Sequence, residues 1–198
     1  MIATATITEA QYHLSRACQY GYGQFIQHGE FANEETFRLQ SEPIHVKITH
    51  PLNFYDLPKE IPFGVIEKYH LELLNPVNVA PGDYSYGERI MQQLPRVMEM
   101  IRSTPATNQA IVEISQPSDI NLKHMPCLRS FQFMAYRGRL NIFVYFRSND
   151  IGEAFIVNHG GLALILRDTA EYAGLPVGEY HYVSPGAHVY SHSIVGYP

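Results

Sequence analysis

The feature that most constrains the fold is a pair of alternating, aromatic-rich runs on either side of a glycine-containing turn. Phe131-Gln-Phe-Met-Ala-Tyr136 and Leu140-Asn-Ile-Phe-Val-Tyr-Phe146 flank Arg137-Gly138-Arg139. Alternation with period two sends every second side chain to the same face of a strand, and aromatic and β-branched residues suit that pleated surface. The stretch therefore reads as a β-hairpin. Ile44 to Thr49, closed by Pro51, reads as another strand, as do Ala110 to Ser115, Tyr180 to Ser184 and Ala187 to Tyr190.

Helical periodicity is clearest from Asn158 to Ala173, where Leu162, Ile165, Leu166, Thr169 and Ala173 share a face and Gly174 and Pro176 mark the end. From Gly87 to Ser103, Ile90, Leu94, Val97, Met98 and Ile101 recur at helical intervals with a kink expected at Pro95. Phe63 to Leu74 predicts a further helix, and residues 9–27 predict one interrupted around Gly21-Tyr-Gly23. Without a repeat or an obvious linker, the pattern predicts a single α+β domain, a mixed and largely antiparallel sheet packed against helices.

Composition narrows the function classes. A chain of 198 residues, 45% hydrophobic, is long enough for a sizeable core. Its formal net charge of −5 argues against a nucleic-acid binder, which needs a lysine and arginine surplus, but leaves room for a small anionic ligand. The first residues lack the basic flank and apolar run of a signal peptide, and no stretch approaches the length of a membrane span, so a soluble cytoplasmic protein is expected. Two cysteines suit a reducing compartment. Ten histidines invite a metal, yet none shows zinc-ligand spacing and none is expected to bind one.

Two short segments could carry chemistry. Cys127, in Met125-Pro-Cys-Leu-Arg129-Ser, stands directly before the hairpin. A thiol becomes a nucleophile when a cation or donor lowers its pKa, and Arg129 and Arg147 are the candidates. Arg147-Ser-Asn-Asp150 brings a guanidinium, a hydroxyl, an amide and a carboxylate to one strand end, a set suited to phosphate. The bland alternatives are an inert buried thiol and a polar turn.

Taken together, Pro126-Cys127, Phe131-Gln-Phe133, Arg147-Ser-x-Asp150, Asn158, Gly178-Glu-Tyr180 and His188-x-Tyr190 resemble the catalytic half of thymidylate synthase. The resemblance covers about residues 107–192, with Tyr84-Ser-Tyr86-Gly-Glu-Arg89 as an extension, and short archaeal-type members are the closer match in length. It implies that Cys127 attacks C6 of a pyrimidine nucleotide, so that C5 can take a one-carbon unit from a methylene-carrying reduced pterin. It further implies that Arg147 binds phosphate and lowers the thiol pKa, Ser148 donates to phosphate, Asp150 bonds the pterin and Asn158 reads a uracil edge. His188 and Tyr190 would hold the ribose 3′-hydroxyl, and Glu67 is the candidate proton-relay carboxylate.

The expected reaction is dUMP to dTMP in a homodimer, with methylene-tetrahydrofolate or a modified tetrahydropterin such as tetrahydromethanopterin as co-substrate. A pyrimidine nucleotide hydroxymethylase using the same adduct, and a non-catalytic nucleotide-binding homologue, are the alternatives. Where the family's partner arginines reach the phosphate this chain has Asn108-Gln109, and Arg38 is the candidate substitute for an arginine of the early phosphate loop.

Overall fold

The computed structural model describes residues 1–25, 37–77 and 84–193. In chain order it runs β1 (Ile2–Thr4), α1 (Ile7–Gln19), β2 (Tyr22–Phe25), β3 (Phe37–Gln40), β4 (Ile44–Ile48), α2 (Phe63–Leu73), α3 (Tyr86–Met91) and α4 (Leu94–Ser103). There follow β5 (Ile111–Glu113), β6 (Leu128–Tyr136), β7 (Arg139–Phe146), β8 (Asn149–Asp150), α5 (Phe155–Ala173), β9 (Val177–Ser184) and β10 (Ala187–Tyr190). The architecture is α+β, with the strands in two sheets where one was expected.

The larger sheet has the order β1-β4-β9-β7-β6-β5. Its β1–β4 and β7–β9 pairs are parallel and the other three antiparallel. The smaller sheet, β2-β3-β10-β8, is antiparallel except for β10–β8. Since β9 and β10 are separated only by Pro185-Gly186, the two sheets meet at that corner.

The hairpin forms as predicted, and its two-residue turn places Arg137 at φ 52° and Gly138 at φ 72°. Left-handed backbone at both turn positions matches the right-handed twist of the strands, which is why glycine serves there. The inner face of the large sheet buries Phe131, Phe133, Ile142, Val144, Tyr180 and Tyr182. Against β7 and β9 lies α5, itself buried on most sides. Each large apolar side chain removed from water there stabilises the fold by roughly 1.5–3 kcal/mol.

Three expectations shift. The helix expected over residues 9–27 is α1 alone: Thr6 caps it, its hydroxyl accepting from the Glu9 amide, and β2 begins at Tyr22. Residues 26 and 27 lie outside the described part. In place of one kinked helix there are two, because Pro95 cannot supply an N–H to the preceding turn and instead sits in the first turn of α4. Finally, α5 starts at Phe155, so Asn158 belongs to its first turn and Gly160-Gly161 to its interior.

Candidate active site

Cys127 and Arg147 are brought together by the hairpin. A bulge between Leu128 and Ser130 absorbs one residue of β6, after which Leu128 pairs with Phe146. The Arg147 amide then donates to the Cys127 carbonyl at 2.9 Å. The Arg147 side chain folds back on the same loop, its Nε donating to the Pro126 carbonyl (3.0 Å) and a terminal nitrogen to the Met125 carbonyl (2.7 Å). On the other side, the Tyr86 hydroxyl accepts from the amides of Cys127 (3.1 Å) and Leu128 (3.3 Å). The thiol is thus carried on a loop whose backbone is tied from two directions.

Electrostatics at this thiol are divided. Burial pushes the Cys127 thiol above its ordinary range, while Arg147 and then Arg129 pull it down. The cations act in the anticipated direction, but burial outweighs them. Cys18, the second cysteine, is fully buried in the core and pushed up to about 11 by burial.

A buried ion pair lies next to Arg129, two residues along the chain from Cys127. Arg89 makes a bidentate contact with Asp119 at 2.7 and 2.8 Å, and donates to the Ile114 carbonyl. Its guanidinium also lies over the Tyr84 ring at 5.1 Å, and Arg129 approaches the same aspartate at 4.0 Å. Tyr84 and Tyr86 meet edge to face, 5.4 Å apart.

Asn158, half-buried in the first turn of α5, accepts at its Oδ1 from Asn149 Nδ2 at 3.4 Å. Its side chain also neighbours the Tyr69 hydroxyl, and Tyr69 in turn neighbours Cys127 and Tyr84. Burial raises the Tyr69 phenol above its usual range. Tyr69 reaches this position because α2 approaches α5 at Gly161, where an added Cβ would come within 2.6 Å of the Tyr69 ring. Glu67 is not brought into this group: it is exposed on α2, whose buried side carries Ile66, His70 and Leu73. Helical phase explains the difference, since Tyr69 and Ile66 are three residues apart on the α5 side and Glu67 is turned away.

At the corner between the sheets, Ser148 Oγ lies 3.4 Å from His188 Nδ1, and that nitrogen faces the Gly186 carbonyl at 2.9 Å. Donation to this carbonyl leaves Nε2 as the acceptor; buried, Nε2 has no partner among the described residues. Burial drives the His188 imidazole down to about 4, with Arg38 and Arg147 adding to the shift. Arg38 pairs with Tyr190 across β3 and β10, and the Tyr190 ring meets His188 edge to face at 4.9 Å. Arg38, Arg147, Ser148, His188 and Tyr190 therefore share one neighbourhood. Asp150 sits at the edge of it, where its Oδ1 accepts from the amides of Gly152 (2.9 Å) and Glu153 (3.3 Å).

Tyr69 and His159 were not singled out from sequence, while Tyr86 and Asn149 stood within segments that were, without a role of their own; helical phase relative to Gly160-Gly161 was the available signal for Tyr69. Among the described residues no group of three or more His, Cys, Asp or Glu could hold a metal ion. A cavity of about 640 Å³ beside His50, Arg139 and Glu179, and an apolar one of about 330 Å³ between Met98 and Tyr172, both lie apart from Cys127.

Comparison with known proteins identifies the family and the fold. The family model described as thymidylate synthase matches residues 52–196. A protein of Methanosarcina barkeri named "Putative thymidylate synthase" is 29% identical over 134 residues, 64% of this chain and 62% of that one. The thymidylate synthase of Listeria monocytogenes is 37% identical over 111 residues, 56% of this chain and 35% of that one. These matches span less than two thirds of either relative's own length. The crystal structure of thymidylate synthase from T4 phage has the same fold, with a TM-score of 0.70 at 16% identity over 93% of this chain and 77% of that one.

Proposed function

Because the chain belongs to the thymidylate synthase family, we propose that it converts dUMP to dTMP, moving a one-carbon unit from a methylene-carrying reduced pterin to C5 of the uracil. The observation that carries this reading is the convergence of a half-buried thiol, a guanidinium tied to its own loop, and an amide on a helix N-terminal turn. The Cys127 thiolate adds to C6, forming the S–C6 bond while the C5=C6 pair shifts toward O4 and makes C5 nucleophilic. C5 then bonds the methylene and loses its proton, and a hydride from the reduced pterin converts the methylene to methyl as the S–C6 bond breaks and the thiolate leaves. Arg147 favours the thiolate and the phosphate, and Asn158 meets the O4 and N3 edge of the base.

Arg38, Arg147 and Ser148 form the phosphate subsite, compensating for Asn108-Gln109. Neutral His188 accepts the ribose 3′-hydroxyl proton at Nε2, with Tyr190 beside it. Asp150 bonds the pterin through its carboxylate, whose Oδ1 also accepts from the Gly152 and Glu153 amides. Tetrahydrofolate and a modified tetrahydropterin such as tetrahydromethanopterin both fit this one acceptor. The protein acts in the cytoplasm as a homodimer, supported by the outer face of the large sheet, where Ile111, Tyr145 and Val183 are exposed. No helix among the described residues is long and apolar enough to cross a membrane.

Incubation with dUMP and either methylene-pterin, followed by mass analysis of the nucleotide, tests the reading. dTMP is the expected product; hydroxymethyl-dUMP assigns the chain to the hydroxymethylases. Recovery of unchanged dUMP with both carriers contradicts the reaction.

A further inference from the structure

Behind Asn158 runs a buried polar chain that the adduct chemistry does not use. His159 is fully buried within a cage of Phe146, Phe155, Tyr180 and Tyr182, whose ring centroids lie 4.1 to 5.5 Å from its own. Its Nδ1 is 2.7 Å from the Tyr180 hydroxyl and its Nε2 is 3.0 Å from Asn149 Oδ1. Tyr180 is likewise fully buried and Asn149 is 3% exposed, so neither finds water as a substitute partner.

The direction of every bond in this chain follows from elementary donor and acceptor rules. A carbonyl oxygen only accepts, so Nε2 carries the proton and donates to Asn149 Oδ1. Burial keeps the ring neutral, holding its pKa down near 3, so Nδ1 is then an acceptor and the Tyr180 hydroxyl donates to it. With Oδ1 occupied, Asn149 turns its Nδ2 to Asn158 and donates to Asn158 Oδ1. With its Oδ1 engaged, Asn158 is left presenting its own Nδ2, a donor, and its side chain neighbours Tyr69.

We infer that His159 is a positioning residue which, through Asn149, fixes the orientation of the Asn158 amide and thereby sets a preference for a base with a carbonyl rather than an amine at position 4. This inference rests on the reading of Asn158 as the base-contacting residue. A presented N–H pairs with the O4 of uracil and opposes the N4 amine of cytosine; a site whose polar group is left unpaired rejects the wrong ligand strongly. Without the imidazole donor, Asn149 and Asn158 can both rotate, and the amide offers either atom.

The test is the ratio of C5-hydrogen exchange rates on dUMP and dCMP for the purified protein and four variants. His159→Leu keeps an apolar side chain in the cage but removes both bonds, and the ratio is expected to fall by about tenfold or more. His159→Gln returns a donor near the Nε2 position and is expected to keep the ratio within about threefold. Asn149→Ala breaks the link without touching the cage and is expected to behave as His159→Leu; it decides the matter should His159→Leu fail to fold. A folded Asn149→Ala or His159→Leu protein with an unchanged ratio overturns the inference. Asn158→Asp tests the underlying reading separately: if it leaves the ratio unchanged, Asn158 does not read the base, whatever His159 does.

Discussion

Two opposed influences, burial and the Arg147 guanidinium, decide whether the Cys127 thiol can act. Burial raises the Cys127 pKa and Arg147 lowers it, so alkylation of the free protein should keep accelerating with pH beyond the range where an ordinary cysteine has levelled off. Arg147→Leu should move that profile to still higher pH, as measured by iodoacetamide kinetics; an unchanged profile would place the guanidinium too far away to matter. The pairing of Cys127 with Arg147 was legible from sequence, because the hairpin's alternation set its two strands opposite each other. The bulge that completes the match was not legible, since a single extra residue leaves the alternating pattern almost intact. Nor was Glu67 distinguishable from Tyr69 while helix α2 was read without knowing which side faced α5.

At the scale of elements, close approach and backbone conformation set what each segment tolerates. A methyl group at Gly161 would press on Tyr69 from 2.6 Å, so Gly161→Ala should cost about 1–3 kcal/mol in urea unfolding and also reduce turnover by displacing the tyrosine. At the hairpin turn Arg137 bears a left-handed strain that asparagine tolerates better. Arg137→Asn should therefore raise stability by about 0.5–1 kcal/mol without affecting activity. Breaking the 1%-exposed Asp119 away from Arg89 by Asp119→Ala should cost about 3–5 kcal/mol, because the guanidinium stays behind unpaired. Of the smaller sheet only β10 was read from sequence as a strand. Its strands β2 and β3 are four residues each, too short to show a period, and the first follows a helix whose pattern seemed to continue through it.

For the molecule as a whole, two buried histidines make stability depend on acid. His159 titrates near 3 and His188 near 4 in the folded state, against about 6.5 when unfolded. Below 6.5 the unfolded chain therefore binds more protons than the folded one, and stability falls as the pH falls toward those lower values. Each histidine contributes a slope of up to about 1.4 kcal/mol per pH unit, visible as a falling urea midpoint between about pH 6.5 and 4. His159→Gln should flatten that decline. Spacing among the ten histidines argued against a metal, and the resemblance gave a role to His188 alone; that His159 would be sealed among aromatics beside Asn149 was invisible, because Phe146, Phe155, Tyr180 and Tyr182 come from three separate elements.

Addition of Cys127 to C6 of a uracil nucleotide is read most directly by release of tritium from C5-labelled dUMP without any pterin. Exchange with water needs the thiol adduct but no completed transfer. The protein should release tritium, and a folded Cys127→Ala variant should release none above background. Equal release by both proteins would contradict adduct formation at Cys127.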